Sequence, residues 1–437
     1  MISEPRGAEL GRIRVTPPGP NSLALARRLR EVECRNVTYV GPNSPIFLTG
    51  GAGANLEDAD GNLYVDLTAA FAVSSVGHSN ERVAAAIARQ SAILLHGMGD
   101  VYPTPEKVEL ARQLCELTPG DGAKRVIFAT SGSEAVEAAL KTAAVATGKP
   151  GVLAFSGAYH GLTYGALEVT DRAHFRSPFS RQLGGFSRRA SFADRIELTE
   201  AALDRPDGAE VGAVIFEPIL GRGGIVEAPD EWLRALRDIC NRRGLLLIAD
   251  EIFTGFGRTG RWFACEWSGV VPDLICVGKG MAGGFPISAC VGAAEVMDRW
   301  PESRGEAIHT TTYLGHPAGC AAAIACIAEL RERHLVERAA RIGSALDRLL
   351  QELKAGSESA VGAVRGRGLM WGLEIVDGRG QPDAVRAASI VNASLARGVI
   401  VLTGGPHRNV IEITPPLVIT QRQLEFAVGV LRAATRA

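Results

Sequence analysis

Leu274-Ile275-Cys276-Val277-Gly278-Lys279-Gly280-Met281-Ala282-Gly283-Gly284-Phe285-Pro286 joins an apolar run of strand length to a lysine ringed by glycines. The chain has only six lysines, and no other lies between Lys149 and Lys354. A lysine closing a buried strand is desolvated, which disfavours its ammonium form and frees the amine as a nucleophile toward a carbonyl. Further runs of the same kind surround it. From residue 125 the spacing predicts strands over Arg125–Ala129, Gly151–Phe155, Val211–Phe216, Leu245–Ala249, Leu274–Val277 and Ile287–Val291, with helices between them over Glu134–Ala146 and Glu231–Arg243. Such alternation specifies an α/β unit whose mostly parallel sheet lies between helices.

Toward the N-terminus the pattern gives a helix over Ser22–Val32. A hairpin-like unit follows, with Ile46–Leu48, Asn55–Asp58 and Leu63–Leu67, and then helices over Val83–Leu95 and Val108–Leu117. Beyond residue 317 a single Ala/Leu-rich helix is expected over Ala318–Leu353. Short strands near Val364, Leu369–Ile375 and Val399–Leu402 come next, with a last helix over Gln421–Ala434. This divides the chain into an N-terminal segment (1–75), a large domain (76–325) and a C-terminal segment (326–437), the two outer segments building a small α+β domain.

Bulk properties narrow the class. A formal net charge of −1 over 437 residues argues against nucleic acid or an acidic membrane as the main partner. The eight cysteines are scattered without a CxxC pair or metal-type spacing, and several sit in apolar runs as core thiols of a reducing cytosol. The first twenty residues are polar, charged and Pro-rich, and no apolar run reaches spanning length, so a cytoplasmic protein is expected.

Three further strand ends carry chemistry. Thr130-Ser131-Gly132-Ser133-Glu134 turns a strand into a helix, where free N–H groups, hydroxyls and the positive helix end form an anion cradle. Ile248-Ala249-Asp250-Glu251-Ile252 ends a strand on acids, and a buried Asp250 needs a cationic partner. A metal would need a second carboxylate–His set, which the sequence does not offer, and no metal is expected; a protonated heteroaromatic nitrogen suits Asp250 better. Gly157-Ala158-Tyr159-His160-Gly161 adds a flat aromatic face. Cradle, acid, plate and amine together describe a pocket for pyridoxal 5′-phosphate, an electron sink whose lysine aldimine is paired with an acid at the pyridinium nitrogen.

On these blocks the chain resembles the class III (omega-amino-acid type) aminotransferases of the fold-type I pyridoxal-phosphate enzymes. Glu217-Pro218-Ile219, Gly255-Phe256-Gly257-Arg258-Thr259-Gly260, Thr312-Tyr313-Leu314-Gly315-His316-Pro317, Arg365-Gly366-Arg367-Gly368-Leu369 and Pro415-Pro416-Leu417 extend the match from about residue 40 to the C-terminus. The resemblance implies a seven-stranded, mostly parallel sheet in the large domain. It also implies that Lys279 bonds the cofactor and moves a proton, while Asp250 keeps the pyridine nitrogen protonated. Tyr159 and Ile252 would flank the ring, and Ser131, Gly132, Ser133, His160 and Glu217 would complete the cofactor set. Thr312 would reach the phosphate from the second subunit of a homodimer.

Two departures from the family pattern bear on substrate. Where the family commonly reads Glu-Pro-(Ile/Val)-Gln-Gly-Glu-Gly-Gly, this chain has Glu217-Pro218-Ile219-Leu220-Gly221-Arg222-Gly223-Gly224. Where it reads Val-(Ile/Leu)-Arg-(Ile/Phe)-x-Pro-Pro-Leu, this chain has Val410-Ile411-Glu412-Ile413-Thr414-Pro415-Pro416-Leu417. In the family that arginine clamps a substrate carboxylate and the glutamate parks against it; both charges are inverted here. Phe253, in place of a frequent glutamine, and Phe71, in a substrate-channel loop, complete the expected substrate set of Phe71, Arg222, Phe253 and Glu412. The expectation is transamination between a 2-oxo acid and a primary amine lacking an adjacent carboxylate, such as an amino sugar, diamine or cyclic amine. The alternative is a racemase or epimerase of the same family.

Overall fold

The structure, a computed structural model, describes residues 6–39, 45–206, 210–357 and 360–436; the outermost parts of the expected N- and C-terminal segments lie outside these. The chain forms two compact units, one of residues 81–340 and one of residues 1–80 with 341–437. These divisions fall after Asn80 and Ala340, where the sequence pattern places them after 75 and 325.

The larger unit holds a seven-stranded sheet of β1 (Lys124–Ala129), β2 (Gly151–Phe155), β3 (Ser187–Ala190), β4 (Val211–Phe216), β5 (Leu246–Asp250), β6 (Leu274–Val277) and β7 (Ser288–Ala293). Their spatial order is β1-β7-β6-β5-β4-β2-β3. Only β7 runs antiparallel to its neighbours, β6 and β1. β2, β4 and β6 are buried at every position, as near-continuous apolar runs covered on both faces must be. β3 has no counterpart in the sequence expectation, because Ser187-Arg188-Arg189-Ala190 is a polar edge strand with no apolar alternation.

Helix α1 (Gly132–Thr147) starts at Ser131, whose hydroxyl accepts from the Glu134 N–H, and stops at Gly148 with φ +68°. Its buried face of Ala135, Val136, Ala138, Ala139 and Leu140 joins a core shared with β2, β4 and β6. Helix α2 (Asp230–Arg243) buries Trp232, Leu233, Leu236, Ile239 and Cys240, with acids in its first turn and arginines in its last, as the helix dipole favours. The expected single helix over Ala318–Leu353 is two helices, Pro317–Glu332 and Leu335–Ala355. His334 takes φ +49° at the break, where no glycine or proline marks the sequence.

In the smaller unit both chain ends share one sheet, since Val399–Ile400 runs parallel to Leu63–Asp66 beside the hairpin strands Leu48–Ala52 and Asn55–Asp58. A second sheet orders Val361–Arg367, Met370–Ile375, Val410–Ile413 and Leu402–Gly404. After Leu63–Asp66, residues Ala69, Ala70, Phe71 and Ala72 all take positive φ, a left-handed turn costing roughly 1–2 kcal/mol per residue. Among the described residues no helix is long and apolar enough to cross a membrane.

Candidate active site

Parallel strands deliver their carboxyl ends to one edge of the sheet, and the loops there carry most of the residues singled out above. Asp250 is the last residue of β5, in register with Cys276 of β6, so Lys279 follows three residues on, in the short turn just past the end of β6. The Asp250 carboxylate is buried; Oδ2 lies 2.8 Å from His160 Nδ1, and Oδ1 accepts from the Ile252 N–H at 3.1 Å. The buried His160 Nε2 has no hydrogen-bond partner. His160 is itself held by its backbone N–H, which donates to Thr170 Oγ1 at 2.9 Å.

Glu217 ties two loops together. One carboxylate oxygen accepts from the Tyr159 N–H at 2.9 Å and the other from the Gly221 N–H at 3.0 Å. Burial is the largest influence on this carboxyl and pushes it up to about 7, against the pull of nearby His160 and with a push from Asp250. The Tyr159 ring packs edge-on to Phe175, with centroids 5.5 Å apart. The Arg222 guanidinium lies over both rings, at 5.0 Å from Tyr159 and 5.6 Å from Phe175, so the residue that departs from the family pattern is stacked on the aromatic plate. Phe175 carried no signal in the sequence, since nothing local ties it to Tyr159.

At the cradle, Glu134 closes the start of α1 by accepting from the Thr130 N–H at 2.8 Å and the Thr130 hydroxyl at 2.7 Å. That leaves the first amides of a sixteen-residue helix at the positive end of its dipole. Gly132 has no room for a side chain, because an added Cβ would meet Ile252 at 2.9 Å. Gly161, at φ +126°, likewise abuts the Ser133 hydroxyl, which accepts from the Thr163 N–H at 3.0 Å. The Ser288 hydroxyl on β7 donates to the Ser131 carbonyl at 2.6 Å and fixes the cradle to the sheet.

Lys279 follows Gly278, and its Nζ stands 4.7 Å from the centre of the Phe253 ring. Ser131, Gly132, Ser133, Tyr159, His160, Glu217, Asp250, Ile252, Phe253, Arg222 and Lys279 thus belong to linked loops of the larger unit. Thr312 also lies in that unit, exposed in the turn before Pro317–Glu332 and outside this group of contacts. Phe71 and Glu412 lie in the smaller unit. Phe71 is 55% exposed in the left-handed turn, and Glu412 is half-buried on Val410–Ile413 against Gly404, where an added Cβ would strike Glu412 Oε1 at 1.6 Å. Among the described residues no group of three or more His, Cys, Asp or Glu could hold a metal.

The model of the family "Aminotransferase class-III" matches residues 38–435. The chain belongs to the class III aminotransferases. It is 38% identical over 434 residues to the 4-aminobutyrate aminotransferase of Mycobacterium leprae, covering 95% of each chain. It is 35% identical to the alanine/serine racemase of Pyrococcus horikoshii, covering 98% of this chain and 93% of the racemase. Among solved structures, the amine transaminase of an uncultivated Pseudomonas species superposes with a TM-score of 0.84 at 30% identity, covering 92% of this chain and 98% of the other.

Class III aminotransferases work through pyridoxal phosphate, and the residues here fit that group on their own terms. The helix start and the side-chain-free Gly132 suit its phosphate, and the buried Asp250 its ring nitrogen. When bound, the cofactor supplies the electron sink.

Proposed function

We propose that this class III aminotransferase moves an amino group between a 2-oxo acid and a primary amine without an adjacent carboxylate, such as an amino sugar, diamine or cyclic amine. Lys279 carries the proton to and from the amine-bearing carbon, Asp250 holds the ring nitrogen protonated, and Gly132 and Ser133 take the phosphate. The observation that carries the substrate reading is the charge inversion at Arg222 and Glu412. A half-buried carboxylate at the family's carboxylate-clamp position repels an acidic substrate and attracts ammonium or hydroxyl groups. The amine transaminase among the solved structures it resembles is named for an amine substrate. Arg222, held on Tyr159 and Phe175, is available to the carboxylate of the 2-oxo acid in the other half-reaction.

Comparing kcat/KM for a diamine with that for 4-aminobutyrate tests this reading. Glu412→Arg is expected to shift the ratio toward 4-aminobutyrate by about a hundredfold, equivalent to about 3 kcal/mol. An unchanged ratio sinks it.

The second reading is a racemase or epimerase, favoured by the likeness to the alanine/serine racemase. Such an enzyme returns the proton to the opposite face of the carbon and consumes no 2-oxo acid. Amine-dependent loss of the cofactor's visible band, reversed by a 2-oxo acid, separates transamination from it.

The working unit in this proposal is a homodimer in which Thr312 completes the neighbouring subunit's cradle. Its support is a run of exposed apolar side chains, Ile93, Leu94, Leu95, Met98, Val101 and Tyr102, with Ile308 and Tyr313 bracketing exposed Thr312. Hybrids of Lys279→Ala with Thr312→Ala subunits are expected to regain one native site per dimer, because both defects fall in the other site. Hybrids no more active than the mean of their parents exclude contribution in trans.

A further inference from the structure

We infer that Phe253 is a positioning residue for Lys279, its ring face holding the Lys279 ammonium whenever the amine is not bonded to the cofactor. This rests on the reading of Lys279 as the reactive amine, and it gives Phe253 a role different from lining the substrate pocket. Nζ stands 4.7 Å from the ring centre, within the range of a cation–π contact. The ring is braced from another side. A Cβ added to Gly221 would meet Phe253 Cδ1 at 2.1 Å and Cε1 at 2.7 Å, so the ring edge rests on bare backbone. Gly221 does not have a positive φ; only space forbids a side chain there. Its N–H is bound in turn by the buried Glu217 carboxylate, which also holds Tyr159. A single buried acid therefore sets the aromatic plate and the floor beneath Phe253.

The chemistry gives such a seat a purpose. A lysine that accepts a proton from carbon and delivers it elsewhere passes through its ammonium form. An aromatic face stabilises that cation without accepting its proton, whereas a carboxylate at the same place would compete for it. Ionisable groups on the surrounding loops include Asp250 and His160, held to each other, with Glu217, Tyr159, Glu251, Arg222 and Arg258.

Incorporating 4-fluoro-, 3,5-difluoro- and 3,4,5-trifluorophenylalanine at position 253 drains the ring face stepwise while nearly keeping its shape, and leaves those other groups untouched. The pH dependence of trinitrobenzenesulfonate labelling of Lys279 in cofactor-free protein, followed by peptide mass spectrometry, reads the effect without turnover. The apparent pKa of Lys279 is expected to fall with each fluorine and by about one unit overall, a tenfold change in proton affinity. Phe253→Trp should keep the native value, and Gly221→Ala, which displaces the ring, should lower it as the fluorinated series does. A flat fluorine series overturns the proposal, as does a native value in correctly folded Gly221→Ala. If Lys279 is not the reactive amine at all, Lys279→Ala retains turnover, an outcome separate from a flat series on a reactive lysine.

Discussion

Lys279→Ala is expected to lower turnover by at least about 10⁴-fold, the upper range for a positioned acid–base group, while leaving the fold intact. Lys279 occupies a short turn after Gly278 rather than a core position, so alanine removes the amine without opening the sheet. The Phe253 face and the space before it remain. Small primary amines added to the solution should therefore restore part of the rate, with larger amines restoring less. Single-turnover rates measured against methylamine and butylamine concentration check this. Residual activity within tenfold of native would remove Lys279 from its assigned role.

Asp250→Asn is expected to cost about a thousandfold in kcat/KM. A charge pair near contact at an effective dielectric of about 20 is worth about 4 kcal/mol, and each 1.36 kcal/mol is tenfold in rate. Asparagine keeps the shape and one hydrogen-bonding oxygen, so the Ile252 N–H that Asp250 accepts at 3.1 Å is still served. What it removes is the negative charge, and with it the reason for a ring nitrogen to stay protonated. Steady-state kinetics beside cofactor-binding titrations separate the charge effect from simple loss of cofactor. A loss under tenfold with cofactor bound would mean that Asp250 is not the nitrogen's partner.

Which parts of the molecule were readable from the chain follows physical lines. Buried parallel strands announce themselves as apolar runs, and those around Ile215, Ile248 and Ile275 match the observed elements within a residue or two. The strand Ser187–Ala190 did not, because edge position and sheet order are properties of the assembled chain and not of four polar residues. The break at Arg333 and His334 was hidden for a related reason. Arg331-Glu332-Arg333-His334 are acceptable helix residues, and only tertiary packing makes the chain turn there.

In the candidate site, the placing of Lys279, Asp250 and Gly132 at or just past strand ends was legible because each ends or follows a run of strand length. The brace of Glu217 on Gly221 and of Gly221 on Phe253 was not. A glycine chosen to admit a ring looks, in sequence, like any other glycine. The stacking of Arg222 on Phe175 was equally silent, since the two are distant in the chain and meet only across neighbouring loops.

The position of β7 also bears on how the protein is made. Among the described residues β1, which leads into the cradle, has β7 as its only partner strand, and the Ser288 hydroxyl that anchors the Ser131 carbonyl belongs to a residue 157 positions later. During synthesis at roughly 5–20 residues per second, about 8–30 s separate the two. For that interval the nascent chain carries an unpaired strand ahead of a helix start whose tie to the sheet waits for Ser288 to clear the ribosome.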